Sequence, residues 1–287
     1  MVNDMVNDMV NETASDDIPT VRRRPDDRSA RGERRTAYLR AAAQLVLREG
    51  FDGLTMGALA KEVGAAIGTT YGYFESKDEI LAELQLVSMD VLGAAVVEAR
   101  MRWSKTLAGD AADDAAGSAG AMGDTAAAIA DVLFFTEFFI QAPDAYPEEF
   151  RLQQMQLASP DNRYEPAQLE ALAEAGQQLV APPMEAIMRL AGAEERFRGN
   201  SLSRTTELTL GLNGVALVRN LKSAEEFFDV PDISRRLTAD LLVGWGATRD
   251  EVREVRNAVR PIVEAMPLSA FESHRSNRLA NLGDHAV

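Results

Sequence analysis

The sequence predicts an all-α protein, with a small N-terminal three-helix unit followed by a larger helical region. Three observations support that fold class. Apolar residues recur at three- and four-residue spacing through most of the 287 positions, glycines, prolines and capping residues divide these segments, and strand-like alternation is scarce.

Composition narrows the function classes. A chain that is 46% hydrophobic and 26% charged is ordinary for a soluble globular protein. The absence of cysteine excludes disulfides, thiolate metal sites and cysteine nucleophiles. The only histidines, His274 and His285, lie in a polar C-terminal tail, and no nucleophile–base constellation or Gly-rich phosphate loop stands out. The expectation is a non-enzyme without cofactor or metal. Asp110, Asp113 and Asp114 in the Ala/Gly/Asp stretch 107–123 lack the spacing and closing Glu of a calcium loop. Apolar runs such as VLGAAVV at 91–97 fall short of a membrane span, and the N-terminus has no apolar signal core, so a cytoplasmic protein with no membrane partner is expected.

The N-terminus, MVNDMVNDMVNE, is an acidic four-residue unit written three times, with nothing to pack, and reads as disordered. Net charge is −15 but unevenly distributed: residues 81–287 carry 19 basic against 31 acidic side chains, whereas residues 22–40 hold eight arginines against three acids. An acidic body with a basic arm suits a polyanionic partner; a solvated Arg-rich leader is the alternative.

Helical punctuation then begins. Tyr38, Ala41, Ala42, Leu45 and Val46 mark a first helix ending at Gly50. Thr55 can cap a short second helix with Leu59, Ala60 and Val63 inward, closed by Gly64. A third short helix spans about 66–73, and Ser76-Lys77-Asp78-Glu79 forms an S-x-x-E capping box for a long fourth helix carrying Ile80, Leu84, Val87, Val91 and Leu92 inward. Two short helices joined by a turn at Gly64 read as a helix-turn-helix, which presents its second helix to a DNA major groove. Gly68 and Tyr71 in that helix do not serve helix stability. Gly68 would permit close approach to DNA, and Thr69, Tyr71 and Tyr73 offer hydroxyls to phosphates and base edges.

The run LTMGALAKEVGAAIGTTYGYFESKDEIL at 54–81, with its G-T-x-Y-x-Y-F-x-S-K string, resembles the DNA-binding domain of the tetracycline-repressor (TetR) family of bacterial transcription regulators. The resemblance covers about residues 33–82. It implies an all-helical homodimer with a variable C-terminal domain that usually binds a small effector, and phosphate contacts from Thr55 and Lys77. Where the family often has a polar cap or charged base-facing residues, this sequence has Ala66, Ile67 and Gly57. Ile67 can touch a thymine methyl or tuck against the second helix. With base readout thin, Arg22, Arg23, Arg24, Arg28 and Arg31 are expected to supply phosphate or minor-groove contacts.

The remaining helices are expected at 124–142, 146–157, 164–195 with a kink or break at Pro182-Pro183, 201–222, 231–246 and 248–265. Phe134, Phe135, Phe138 and Phe139, with Met155, Met184 and Met188, are candidates to line an apolar effector pocket; plain core is the alternative. Leu208, Leu212, Val215, Leu241, Leu242 and Trp245 are candidates for a four-helix dimer interface, or else complete the monomer core. The expected domains are an arm at 1–30, the helix-turn-helix at 31–75, an effector-binding and dimerisation domain at 76–266, and a tail at 267–287. The expected function is a homodimeric repressor released from an imperfect palindromic operator of double-stranded DNA by a small apolar or aromatic effector. The alternative is a DNA-binding dimer of the same fold with no effector, controlled by a protein partner or by abundance.

Overall fold

The computed structural model describes residues 27–107, 122–158, 166–220 and 227–266, and among them there are ten α-helices and no strand. The first four are α1 (Asp27–Gly53), α2 (Met56–Glu62), α3 (Ile67–Tyr71) and α4 (Lys77–Leu107). Then come α5 (Asp124–Ala145), α6 (Pro147–Ala158), α7 (Pro166–Ala193), α8 (Ser201–Ala216), α9 (Val230–Gly244) and α10 (Arg249–Glu264). The acidic N-terminal repeat, Arg22 to Arg24, the Asp110–Asp114 loop and the polar tail lie outside the described residues. α1 begins at Asp27, inside the segment expected to be an arm, and turns sharply at Gly50, whose φ of 76° suits glycine.

Apolar side chains gather into two cores. The smaller takes Tyr38, Leu39, Leu45 and Val46 from α1, Leu59 from α2, Phe74 from the following turn, and Ile80 and Leu84 from the start of α4. The larger joins Val91 to Trp103 of α4 with the phenylalanines of α5, Ile187 and Leu190 of α7, Leu208 and Leu212 of α8, Leu242 of α9, and Val252 to Ile262 of α10. α4 is therefore common to both. α6 also crosses between them: Leu152 enters the smaller core, and the Arg151 guanidinium donates to the Leu47 carbonyl of α1 at 2.8 Å.

The middle of α4 lies close against α7. A Cβ added at Gly93 would stand 2.9 Å from Gln178 Cβ and 3.5 Å from the Leu179 amide nitrogen, so hydrogen in place of a side chain is what allows this approach. Nearby, the buried Asp131 of α5 accepts from Trp103 Nε1 at 2.8 Å and from Arg189 of α7, fastening three helices through one carboxylate. At the far end, Arg196 makes a bidentate pair with Glu251 at the head of α10, and that contact above all holds the Glu251 carboxyl down at about 2.

Two expectations need correction. Pro182 and Pro183 do not break α7, which runs through both. They occupy the same buried stripe as Leu172, Leu179, Ala186 and Leu190, so apolar burial outweighs the two missing amide donors. The apolar stretches of α4 and α5 also turn out to be long enough to cross a membrane; 61% and 72% of those windows are buried within the fold, as befits core helices.

Gly93→Val should lower the stability of the chain by about 1–3 kcal/mol through overpacking at the α4–α7 contact, measured by urea unfolding. Unfolding at the parent's midpoint would show that the contact does not depend on glycine.

Candidate nucleic-acid interface

Local chemistry builds the interface from α2 to the start of α4. Thr55 is in extended conformation and its hydroxyl accepts from the Ala58 amide at 3.0 Å, capping α2. The helix buries Met56, Leu59 and Ala60 and stops at Gly64, whose φ of 68° is left-handed. There the Ala65 amide bonds the Ala60 carbonyl at 2.9 Å and the Gly64 amide bonds Lys61 at 3.2 Å, the paired closure that glycine permits at a helix end. Ala66 then opens α3 without a side-chain cap.

α3 has only five residues, and one of them turns fully inward. Thr70 is buried, whereas Ile67 is 52% and Tyr71 53% exposed, with Gly68 and Thr69 exposed between them. A Cβ at Gly68 would meet nothing within 4 Å, so packing inside the chain does not require glycine there. Ile67 lies across from Gly57, its Cδ1 3.9 Å from where a Cβ on that glycine would stand, and still leaves half its surface to solvent.

The carboxyl end of α3 is held from α1. Arg35 donates to the Tyr73 carbonyl, to Glu79 at 3.1 Å and to Glu83 at 2.5 Å, and its guanidinium lies 4.2 Å from the centre of the Phe74 ring. Burial pushes the Glu83 carboxyl up, and Arg35 offsets part of that rise. One turn earlier Arg31 donates to the Gly72 carbonyl at 3.3 Å and stands over the Tyr73 ring at 5.8 Å. Tyr73 itself is half-buried against Tyr38, with ring centres 5.1 Å apart. Lys77 donates its ammonium to the Phe51 carbonyl at 2.5 Å, and Ser76 caps α4 by accepting from the Glu79 amide at 3.1 Å.

The structure thus brings Thr55, Ile67, Gly68, Thr69, Tyr71 and Lys77 together around α2, α3 and the start of α4, and gives Tyr73 and Arg31 partners within the chain. Arg28 lies in the first turn of α1, beyond the described side chains. Arg35 is the residue that sequence reasoning missed as a positioning group. Its signal was register: Tyr38, Leu39 and Ala42 follow at three, four and seven residues, placing Arg35 on the inward stripe of α1.

Residues 39–84 match the family model described as bacterial regulatory proteins, tetR family. The N-terminal domain is that of a tetR-family regulator. The fold is similar to the crystal structure of a candidate regulatory protein, SCO4313, at 20% identity and a TM-score of 0.51, covering 76% of this chain and 99% of that one. A candidate tetR-family transcriptional regulator from Mesorhizobium loti MAFF303099 aligns at 17% identity and a TM-score of 0.47, covering 77% and 99%. No curated protein matches the chain. The helix-turn-helix of these residues makes the chain a DNA-binding transcription regulator.

The larger domain places the other candidates differently. Phe134, Phe135, Phe138 and Phe139 are close-packed core: Phe134 stacks on Trp103 at 5.0 Å and Phe139 meets Phe150 at 5.0 Å. Met184 is half-buried with its sulfur 3.4 Å from the Thr205 hydroxyl, Met188 is exposed, and Met155 lies beyond the described side chains. These seven residues do not line a common cleft among those described. Of the six interface candidates, Leu208, Leu212, Leu242 and Trp245 are buried within the single chain, while Val215 and Leu241 are half-buried. No group of metal-ligating side chains occurs among the described residues.

Arg35→Met should cost about 1–3 kcal/mol in chemical unfolding, because it strands a carbonyl and two neighbouring carboxylates that are only partly solvated. Adding Glu83→Gln should recover part of that loss. If the double variant were no more stable than the single one, the carboxylate contacts would not be what Arg35 contributes.

Proposed function

We propose that the chain acts in the cytoplasm as a homodimeric repressor, laying α3 of each copy in successive major grooves of an imperfect palindromic operator and releasing it when a small apolar or aromatic effector binds the larger domain. The observation that supports this most is the outward face of α3, which offers Ile67, Gly68, Thr69 and Tyr71 although packing within the chain requires none of them to be there. In this reading Ile67 meets a thymine methyl, Gly68 lets the backbone come close, and Thr69 and Tyr71 donate to phosphates or base edges. Thr55 and Lys77 hold phosphates on either side; one ammonium proton of Lys77 is taken by Phe51, which leaves two to donate. Tyr73 and Arg31 act chiefly by fixing the end of α3, and Arg22, Arg23, Arg24 and Arg28 follow the duplex or enter a flanking minor groove.

Dimerisation is assigned to α8 and α9, through surface that the single chain leaves open. Leu202, Leu210 and Leu217 are exposed along α8 and the turn after it, next to the half-buried Val215, and Leu241 lies on α9. These residues replace the inward-facing Leu208, Leu212, Leu242 and Trp245 in the proposed interface. The close packing of Phe134 to Phe139 favours a second reading for control, in which no effector enters that core and a protein partner or abundance sets operator occupancy.

Selection of DNA from a random pool by the purified chain should enrich inverted repeats, and Leu210→Glu should yield a folded monomer in light scattering that binds the selected DNA at least about tenfold more weakly. Deleting residues 1–26 should lower the log–log salt slope by about 0.9 for each phosphate that the arm no longer neutralises, and leave the repeat preference intact. Enrichment of an unsymmetrical site, or a monomeric parent, would contradict the proposal.

A further inference from the structure

α5, α9 and α10 enclose a groove of about 320 Å3, within the size range of small-ligand sites. Its floor is aliphatic. Leu133 and Val259 are buried there and Val263 is half-buried. The hydroxyl of Thr136, also in the floor, is already used, 2.8 Å from the hydroxyl of Thr238 on α9.

The rim is cationic. Arg235, Arg256 and Arg260 line it against two carboxylates, Glu137 and Glu264. Glu137 is taken by Arg235 in a bidentate pair at 2.6 and 2.9 Å. Arg260 and Glu264, four residues apart and both largely exposed, form a pair at 2.9 Å of the kind worth only about 0.3–0.5 kcal/mol. Arg256 and the adjacent Asn257 have no partner among the described residues. Among the lining side chains three guanidinium groups therefore face two carboxylates over an apolar floor, in a region where acids outnumber bases by 31 to 19; Asp229 and Asp232 act on the Arg235 end, which leaves Arg256 as the unpaired cation of the rim. A merely solvated face of so acidic a region would carry the opposite excess.

We infer that this groove binds a small amphipathic monocarboxylate. Its carboxylate meets the guanidinium fork of Arg256 and the side-chain amide of Asn257, and its hydrocarbon lies over Leu133, Val259 and Val263. One unpaired guanidinium, that of Arg256, matches a monoanion, and its planar fork matches two coplanar oxygens better than a tetrahedral anion. The groove opens on the outer side of the larger core, whose Leu133 and Val259 form its floor, and includes no residue of α3, so failure of the inference would leave the DNA-binding reading untouched.

Titration calorimetry on the full chain tests it, with decanoate as probe, decanol matching the hydrocarbon without the charge, and acetate and inorganic phosphate supplying charge without hydrocarbon. Decanoate should bind saturably, one per chain, and the other three far more weakly. Arg256→Ala should weaken decanoate binding by about tenfold or more, and Arg256→Lys by less, since the charge is kept and the fork removed. The thermal midpoint and DNA affinity of both variants should equal the parent's, because Arg256 is exposed and unpaired within the described chain. Three results would each overturn the proposal: no binding of decanoate, equal binding of decanol or phosphate, or unchanged decanoate affinity in Arg256→Ala.

Discussion

A helix of five residues cannot hold its own position, and the helix-turn-helix end of this molecule depends on how that difficulty is met. Nucleating one turn costs more than its few hydrogen bonds return, and α3 includes a glycine and no side-chain cap. Its geometry is imposed from outside. Thr70 and Phe74 anchor it in the smaller core, the left-handed Gly64 fixes its entry, and Arg35 fixes its exit by joining the Tyr73 carbonyl to two carboxylates of α4. Because the clamp supplies the stability, the outward positions of α3 are released from that duty.

The same arrangement connects the two ends of the molecule. The carboxylates that receive Arg35 belong to α4, whose later turns are sealed into the larger core by the close approach at Gly93 and by Trp103 on Asp131. α6 supplies a second connection through Leu152 and Arg151. A displacement of α4 or α6 in the larger core would thus be transmitted to α1 and to the exit of α3 through contacts that are already formed. Such contiguous packing is the physical requirement for a ligand or partner to alter DNA affinity.

Much of this was legible in the sequence because it is decided locally. The Thr55 cap, the Gly64 turn and the Ser76 cap use side chains within a few residues of the backbone they satisfy, and helix boundaries followed from such signals. What depends on distant partners was not legible. Periodicity marked Leu208, Leu212 and Leu242 as apolar but could not say whether the same chain or a second copy covers them. Nor could it say that Trp103 and Phe150 fill the space around the α5 phenylalanines, because a cavity is decided by the atoms that fail to fill it. Pro182 and Pro183 read as a kink or break because backbone rules are local, whereas the stripe that carries α7 through them spans both sides. Arg35 was counted with a basic arm, since charge tallies ignore which face of a helix a charge occupies.

The central claim is that the outward face of α3 is shaped by a partner rather than by the fold, and Gly68→Ala tests it most directly when folding stability and DNA affinity are measured on the same protein. The added methyl meets nothing within 4 Å in the free chain. Alanine should therefore raise stability, by up to about 1 kcal/mol from helix propensity, while weakening binding to the selected DNA. Unchanged or tighter DNA binding would contradict the account, because Gly68 would then have no partner to make room for.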